Sequence, residues 1–127
     1  MSVKYTFLLV GETGTRWHSV LQRVLSSLSG KLHTVAEERA AESVAQDRYD
    51  MVIVDAGIVD DAALLVSHLR ARQKQARVVV ATASPTWKRA RAALQAGAAD
   101  YISTSLNEDE LRSVIEMALK LPPSFHS

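Results

Sequence analysis

Glu12, Asp55 and Thr82 are the residues of this 127-residue chain whose types and placement most suggest chemistry. Each stands at or just past the end of a short apolar run. Glu12 lies two residues beyond Val10, Asp55 follows Met-Val-Ile-Val at 51–54, and Thr82 follows Val-Val-Val-Ala at 78–81. Two carboxylates that face one another make a hard-oxygen site of the kind that holds Mg2+ with several waters. A carboxylate beside such an ion can act as a nucleophile towards phosphorus. The hydroxyl of Thr82 can hydrogen-bond a phosphoryl oxygen. The same residue types at strand ends also cap loops and meet water, and position alone does not separate the two readings.

Other chemistries find less support. The chain has no cysteine, which removes disulfides, thiolate metal sites and thiol nucleophiles together. The four histidines, His18, His33, His68 and His126, have no pairwise metal spacing, and His68 reads as a packed or rim residue. Residues 11–18, Gly-Glu-Thr-Gly-Thr-Arg-Trp-His, begin like a nucleotide-binding phosphate loop. That loop then needs Gly-Lys-Ser or Gly-Lys-Thr, and Arg16, Trp17 and His18 stand there instead. A net charge of +1 gives no field that would draw nucleic acid or an anionic membrane. The apolar runs are far too short to span a bilayer, and that at 7–10 is too short for a signal peptide. The expectation is a cytoplasmic protein, not an enzyme, with neither nucleic acid nor membrane among its partners.

The elements that must position these residues alternate regularly. Apolar runs at 5–10, 32–36, 51–54, 78–81 and 100–103 read as strands, the third and fourth as strands buried on both faces. Between them, Trp17, Val20, Leu21, Val24, Leu25 and Leu28 recur at helical spacing, and Ser29-Gly30 supplies a stop. Residues 38–46 form a short second helix, and Asp60-Asp61 open a third with acids at the positive end of its dipole. Ser84-Pro85 reads as an N-cap followed by proline at the first helical position, with Gly97 as the left-handed stop. Asn107 and Glu110 make a capping-box-like pair for the last helix, whose apolar face is Leu111, Val114, Ile115, Ala118 and Leu119.

Five βα units require a mostly parallel sheet covered on both sides. The fold class is α/β, a single doubly wound (βα)5 domain over residues 1–121 with strand order 2-1-3-4-5, followed by a short tail or linker start at 122–127. Ligands of such sheets bind at the carboxyl ends of the strands, at the switch point between strands 1 and 3. That selects the loops at 11–15, 55–60 and 82–84.

From residue 4 to residue 119 the chain resembles the receiver domain of bacterial two-component response regulators. The matching stretches are 7–12 (Phe-Leu-Leu-Val-Gly-Glu), 49–55 (Tyr-Asp-Met-Val-Ile-Val-Asp), 78–83 (Val-Val-Val-Ala-Thr-Ala) and 96–102 (Ala-Gly-Ala-Ala-Asp-Tyr-Ile). The resemblance implies a flavodoxin-like fold and a phosphorelay role, with Asp55 as phosphoacceptor from a histidine kinase or phosphotransfer protein. It implies Mg2+ held by Glu12, Asp55 and the carbonyl of Gly57. It also implies phosphoryl contact or switching at Thr82, Tyr101 and Thr104. The face of helix 4, strand 5 and helix 5, with Trp87, Lys88 and Arg91, would meet a protein partner or a second copy.

The departures from the family pattern make this an atypical receiver. Gly11 stands where a first acid is usual, Thr104 where a lysine is usual, Ser105 where a proline is usual, and Ile58-Val59 replace a Met-Pro stretch. A threonine hydroxyl offers a neutral hydrogen bond where an ammonium offers a charge-assisted one, roughly twice as strong. The cation site is weakened or lost. A second reading follows, a receiver-shaped interaction module that works without phosphate. A remote third is a flavodoxin-like flavin binder using Thr13, Gly14 and Thr15, although Glu12 would repel a phosphate there. A tight βα turn at Gly14 explains those residues more simply. A complete chain would signal by protein contact, and in a fragment Pro122-Pro123 would open a linker.

Overall fold

The computed structural model describes residues 2–121; the tail at 122–127, with Pro122, Pro123 and His126, lies outside the described residues. Five strands, β1 (Tyr5–Val10), β2 (Gly30–Val35), β3 (Met51–Asp55), β4 (Arg77–Thr82) and β5 (Asp100–Ser103), alternate with five helices. The helices are α1 (Arg16–Ser27), α2 (Glu37–Gln46), α3 (Ala62–Arg72), α4 (Trp87–Gln95) and α5 (Glu108–Lys120). The strands form one parallel sheet in the order β2-β1-β3-β4-β5, as the alternation requires.

The continuous apolar runs are explained by burial on both faces. Along β1, Leu8 and Val10 point to one side and Phe7 and Leu9 to the other. The same alternation puts Val52, Val54, Val78 and Val80 with the first group, and Met51, Ile53, Val79 and Ala81 with the second. The first core takes Ala40 and Val44 from α2, Leu65, Val66 and Leu69 from α3, and Ala93 from α4. The second takes Leu21, Val24 and Leu25 from α1, and Leu111, Ile115 and Ala118 from α5. Two side chains tie the amino-terminal ends of the strands. Asp50 accepts the Thr6 amide at 2.8 Å, and Gln73 accepts the Tyr49 amide at 2.6 Å while donating to the Val44 and Asp47 carbonyls. Burial, and secondarily the charge of Asp47, pushes the Tyr49 hydroxyl above its ordinary value.

Two helices, α3 and α5, start at the residues read from sequence. Asn107 and Glu110 form a full capping box on α5, and Asp61 accepts the Leu64 amide at the start of α3. The α4 start differs. Its N-cap is Thr86, which accepts the Arg89 amide, so Ser84 and Pro85 belong to the preceding loop. A Ser-Pro pair and a Thr two residues on offer the same cap chemistry, and the Ser84 amide is engaged by the Thr82 hydroxyl at 3.1 Å. Gly97 closes the segment in the left-handed region, with φ +111. The second strand is longer at its start than its apolar residues suggest. Gly30 is its first residue and not part of a helix stop, and Ser29 takes the positive φ instead. His68 is exposed, which corrects its reading as a packed or rim residue.

Candidate functional site at the carboxyl edge of the sheet

The site is assembled by strand register. Asp55 is the last residue of β3, the middle strand, and pairs with Ala81 of β4. The Ala56 amide then donates to the Ala81 carbonyl at 2.8 Å, fixing the chain just past Asp55. Thr82 ends β4 opposite Ser103 of β5, and the Thr104 amide donates to the Thr82 carbonyl at 2.9 Å. Asp55 and Thr82 therefore end adjacent strands, and Thr104 follows the last residue of the next one. On the other flank, the Gly11 amide donates to the Val35 carbonyl at 3.0 Å and leads into Glu12. Gly11 lies against the acid: a Cβ built on it would stand 3.4 Å from Asp55 Cβ.

Asp55 is half-buried, and its Oδ1 accepts the Gly57 amide at 2.9 Å. Its Oδ2 has no hydrogen-bond partner among the described residues. A Cβ at Gly57 would stand 3.2 Å from Asp55 Oδ1, close enough to press on that oxygen. Thr82 is the one buried polar residue among those described, 4% exposed. Its Oγ1 accepts from the Ser84 amide, which leaves the hydroxyl hydrogen free to donate. Glu12 is exposed at the mouth of the site. Among the described residues no group of three or more His, Cys, Asp or Glu side chains is placed to hold a metal ion.

Gly14 has φ +82 and makes the tight turn into α1, whose N-cap, Thr15, accepts the His18 amide at 3.0 Å. A cleft of about 550 Å³ runs between α1 and the β5–α5 loop, with Arg16, Trp17, Val20, Thr104 and Leu106 among its walls. Trp17 packs half-buried against the second core, as its place in the helical stripe suggests. The sequence uses Arg16 only to break a phosphate-loop motif. That Arg16 and Thr104 line one cleft is a tertiary fact that no spacing rule carries.

A second cavity, of about 370 Å³, lies between α3 and α4, lined by Ala56, Asp60, Asp61, Arg89 and Tyr101 among others. Tyr101 is turned inward there, and its hydroxyl is buried without a hydrogen-bond partner. A buried, unpaired hydroxyl costs about 1–3 kcal/mol. Tyr101→Phe is therefore expected to keep or raise the melting temperature, which a thermal melt reads directly. The three basic residues of α4 divide. Arg89 faces the α3 cavity, whereas Trp87 and Arg91, four residues apart, share another flank, with Lys88 exposed beside them. Trp87 is 75% exposed, an unusual amount for tryptophan.

Sheet order and the acid at the end of the middle strand define a doubly wound domain of receiver architecture. The family model for the response regulator receiver domain matches residues 15–116, and the chain belongs to that family. No curated protein matches the sequence. Among solved structures, a response regulator from Thermotoga maritima is similar, with a TM-score of 0.84 and 19% identity over 93% of this chain and 99% of that one. The receiver domain of a sensor histidine kinase from Pseudomonas aeruginosa, with a magnesium ion coordinated in its active-site cleft, gives a TM-score of 0.77 and 24% identity over 92% and 98%. A Burkholderia pseudomallei response regulator with a phosphorylated aspartic acid gives 0.77 and 22% identity, over 95% of this chain and 69% of that one. Among the described residues no helix is long and apolar enough to cross a membrane.

Proposed function

We propose that this chain is a cytoplasmic phosphorelay receiver that takes a phosphoryl group on Asp55 from a histidine kinase or phosphotransfer protein. The observation that carries the reading is the state of Asp55. It ends the middle strand at the switch point, with Oδ1 held by Gly57 and Oδ2 unengaged. An oxygen so placed is oriented for attack and has no bond to give up.

Glu12, Asp55 and the Gly57 carbonyl are the donors for Mg2+. All are hard oxygens, and two carboxylates with several retained waters suffice for this ion. When bound, it supplies positive charge to the phosphoryl oxygens. Thr82 donates its free hydroxyl hydrogen to the phosphoryl group. Phosphorylation adds close to two negative charges beside the β4–α4 loop, enough to bias a two-state segment. Tyr101, inward and unpaired next to that loop, is the side chain most readily re-seated. Trp87, Lys88 and Arg91 on α4 would present the change to a protein partner or a second copy across α4, β5 and α5.

Incubation with Mg2+ and phosphoramidate, followed by intact mass, tests the reading. The parent should gain one phosphoryl group, Asp55→Asn should gain none, and chelation of Mg2+ should suppress labelling. No gain in a folded parent, run beside a receiver that does label, would sink it. The exposed Trp87 and its basic neighbours then favour the phosphate-independent interaction module.

A further inference from the structure

We propose that Arg16 is the cation that meets the phosphoryl oxygens on Asp55, across the cleft from Thr104. The assignment rests on the phosphoacceptor reading of Asp55. Transfer concentrates negative charge where Glu12 and Asp55 already supply two carboxylates, so a positive group within reach is worth more there than a neutral donor. Thr104 supplies only a hydroxyl. Its backbone is pinned to Thr82, and the loop after it is drawn tight by Ser103, whose hydroxyl lies 2.7 Å from that of Ser105.

Two arginines line the cleft that Thr104 shares with α1, and they differ in one respect. Arg23 is committed to Glu108, at 2.6 Å, on the cleft wall. Arg16 is exposed, and among the described residues its guanidinium has no hydrogen-bond or ion-pair partner. With Arg23 and Glu108 cancelling, Arg16 sets the charge of the cleft. It opens α1 directly after the turn that leaves Gly11 against Asp55. Arg89 is the rival cation, but its cavity already contains the carboxylates of Asp60 and Asp61, and it lies on the other side of the sheet from α1.

With phosphoramidate as donor, Asp55 Oδ2 forms a bond to phosphorus as the phosphorus–nitrogen bond breaks. The nitrogen, already protonated in the zwitterion, leaves as ammonia with the bonding pair, and the aspartyl phosphate retains both negative charges. The planar guanidinium of Arg16 can pair with two of the three phosphoryl oxygens through this step.

The test is the initial rate of mass gain with Mg2+ and phosphoramidate for the parent, Arg16→Gln, Arg89→Gln, Thr104→Lys and the Arg16→Gln/Thr104→Lys double variant. Arg16→Gln should slow labelling about tenfold, the loss of one charge-assisted bond. Arg89→Gln should stay within about twofold of the parent. Thr104→Lys should restore the rate in the Arg16→Gln background and change it less in the parent. A merely structural role for Arg16 would not be rescued by a cation placed on a different strand. Labelling of Arg16→Gln at the parent's rate, or failure of the rescue in a folded double variant, overturns the assignment alone. A silent parent overturns the Asp55 reading, and the Arg16 role with it.

Discussion

Gly11→Asp combined with Thr104→Lys should raise the rate at which phosphoramidate labels Asp55 by about tenfold to a hundredfold when Mg2+ is present. The aspartate adds a third carboxylate to a donor set that now has two, which strengthens the hold on a divalent oxygen-seeking cation. The backbone conformation admits a side chain, since Gly11 is not among the glycines with positive φ. A Cβ on Gly11 would stand 3.2 Å from Leu9 Cγ, 3.3 Å from Leu9 Cδ1 and 3.4 Å from Asp55 Cβ. Those contacts are relieved by a few tenths of an ångström, and the nearest atoms are side-chain carbons. The lysine rises from a position fixed through the Thr104 amide, beside Thr82.

The gain should depend on the metal. Without Mg2+ three carboxylates repel one another, so Gly11→Asp should lower the melting temperature in chelator and raise it with added Mg2+. The two substitutions should contribute unequally, the aspartate more, because Arg16 already offers one cation to the same oxygens. Single and double variants assayed for labelling rate across a Mg2+ titration give both numbers. A folded double variant that labels no faster than the parent would show that Gly11 and Thr104 do not limit the reaction.

The sheet was legible because its residues obey one strong constraint. A strand buried on both faces cannot alternate polar and apolar residues, and residues 51–54 and 78–81 do not. Once five such runs alternate with helices, crossover handedness leaves little freedom, and the observed order follows. Asp55, Thr82 and Glu12 were legible for the same reason, since each stands at or just past the sharp end of a run. Boundaries without that sharpness were not. β2 is an edge strand with mixed burial, so its apolar residues, Leu32 and Val35, understate its length. Three cap-competent residues, Thr82 at the end of β4 and Ser84 and Thr86 in the loop after it, stand close together, and it is the local hydrogen bonds, the Ser84 amide to Thr82 and the Arg89 amide to Thr86, that single out Thr86 as the α4 cap. The contents of the two clefts were out of reach altogether. Arg16 and Thr104 line one cleft and Tyr101 and Arg89 the other, each on a single side of the sheet, and both juxtapositions depend on how far each helix leans over the strand ends.

Gly30→Ala should destabilise the protein by about 3 kcal/mol, the upper end for overpacking a filled core, and lower the melting temperature by on the order of 10 °C. A strand would ordinarily favour alanine over glycine, which makes the sign informative. Gly30 pairs with Tyr5 at the start of β2, where the chain returns from α1. A Cβ there would stand 2.4 Å from Phe7 Cε2, 2.8 Å from Phe7 Cδ2 and 2.9 Å from the Leu25 carbonyl oxygen. Neither neighbour can yield cheaply. Phe7 is fully buried among Leu9, Leu21 and Leu25, and the Leu25 oxygen belongs to helix backbone, where it accepts the Leu28 amide at 3.1 Å. The phenyl ring must therefore leave its place, or β2 must shift away from β1. A smaller ring neighbour should separate the two. Phe7→Leu alone leaves a void and costs stability, yet combined with Gly30→Ala it should recover part of the loss, so the double variant falls short of additivity. Gly14→Ala gives the contrast, since Gly14 has φ +82 but nothing within 4 Å of its missing Cβ. There the cost is conformational alone, about 1 kcal/mol. Equal melting temperatures for Gly30→Ala and the parent would mean that the ring of Phe7 does not occupy the space beneath Gly30, and that α1 and β2 meet more loosely than the register of β1 with β2 implies.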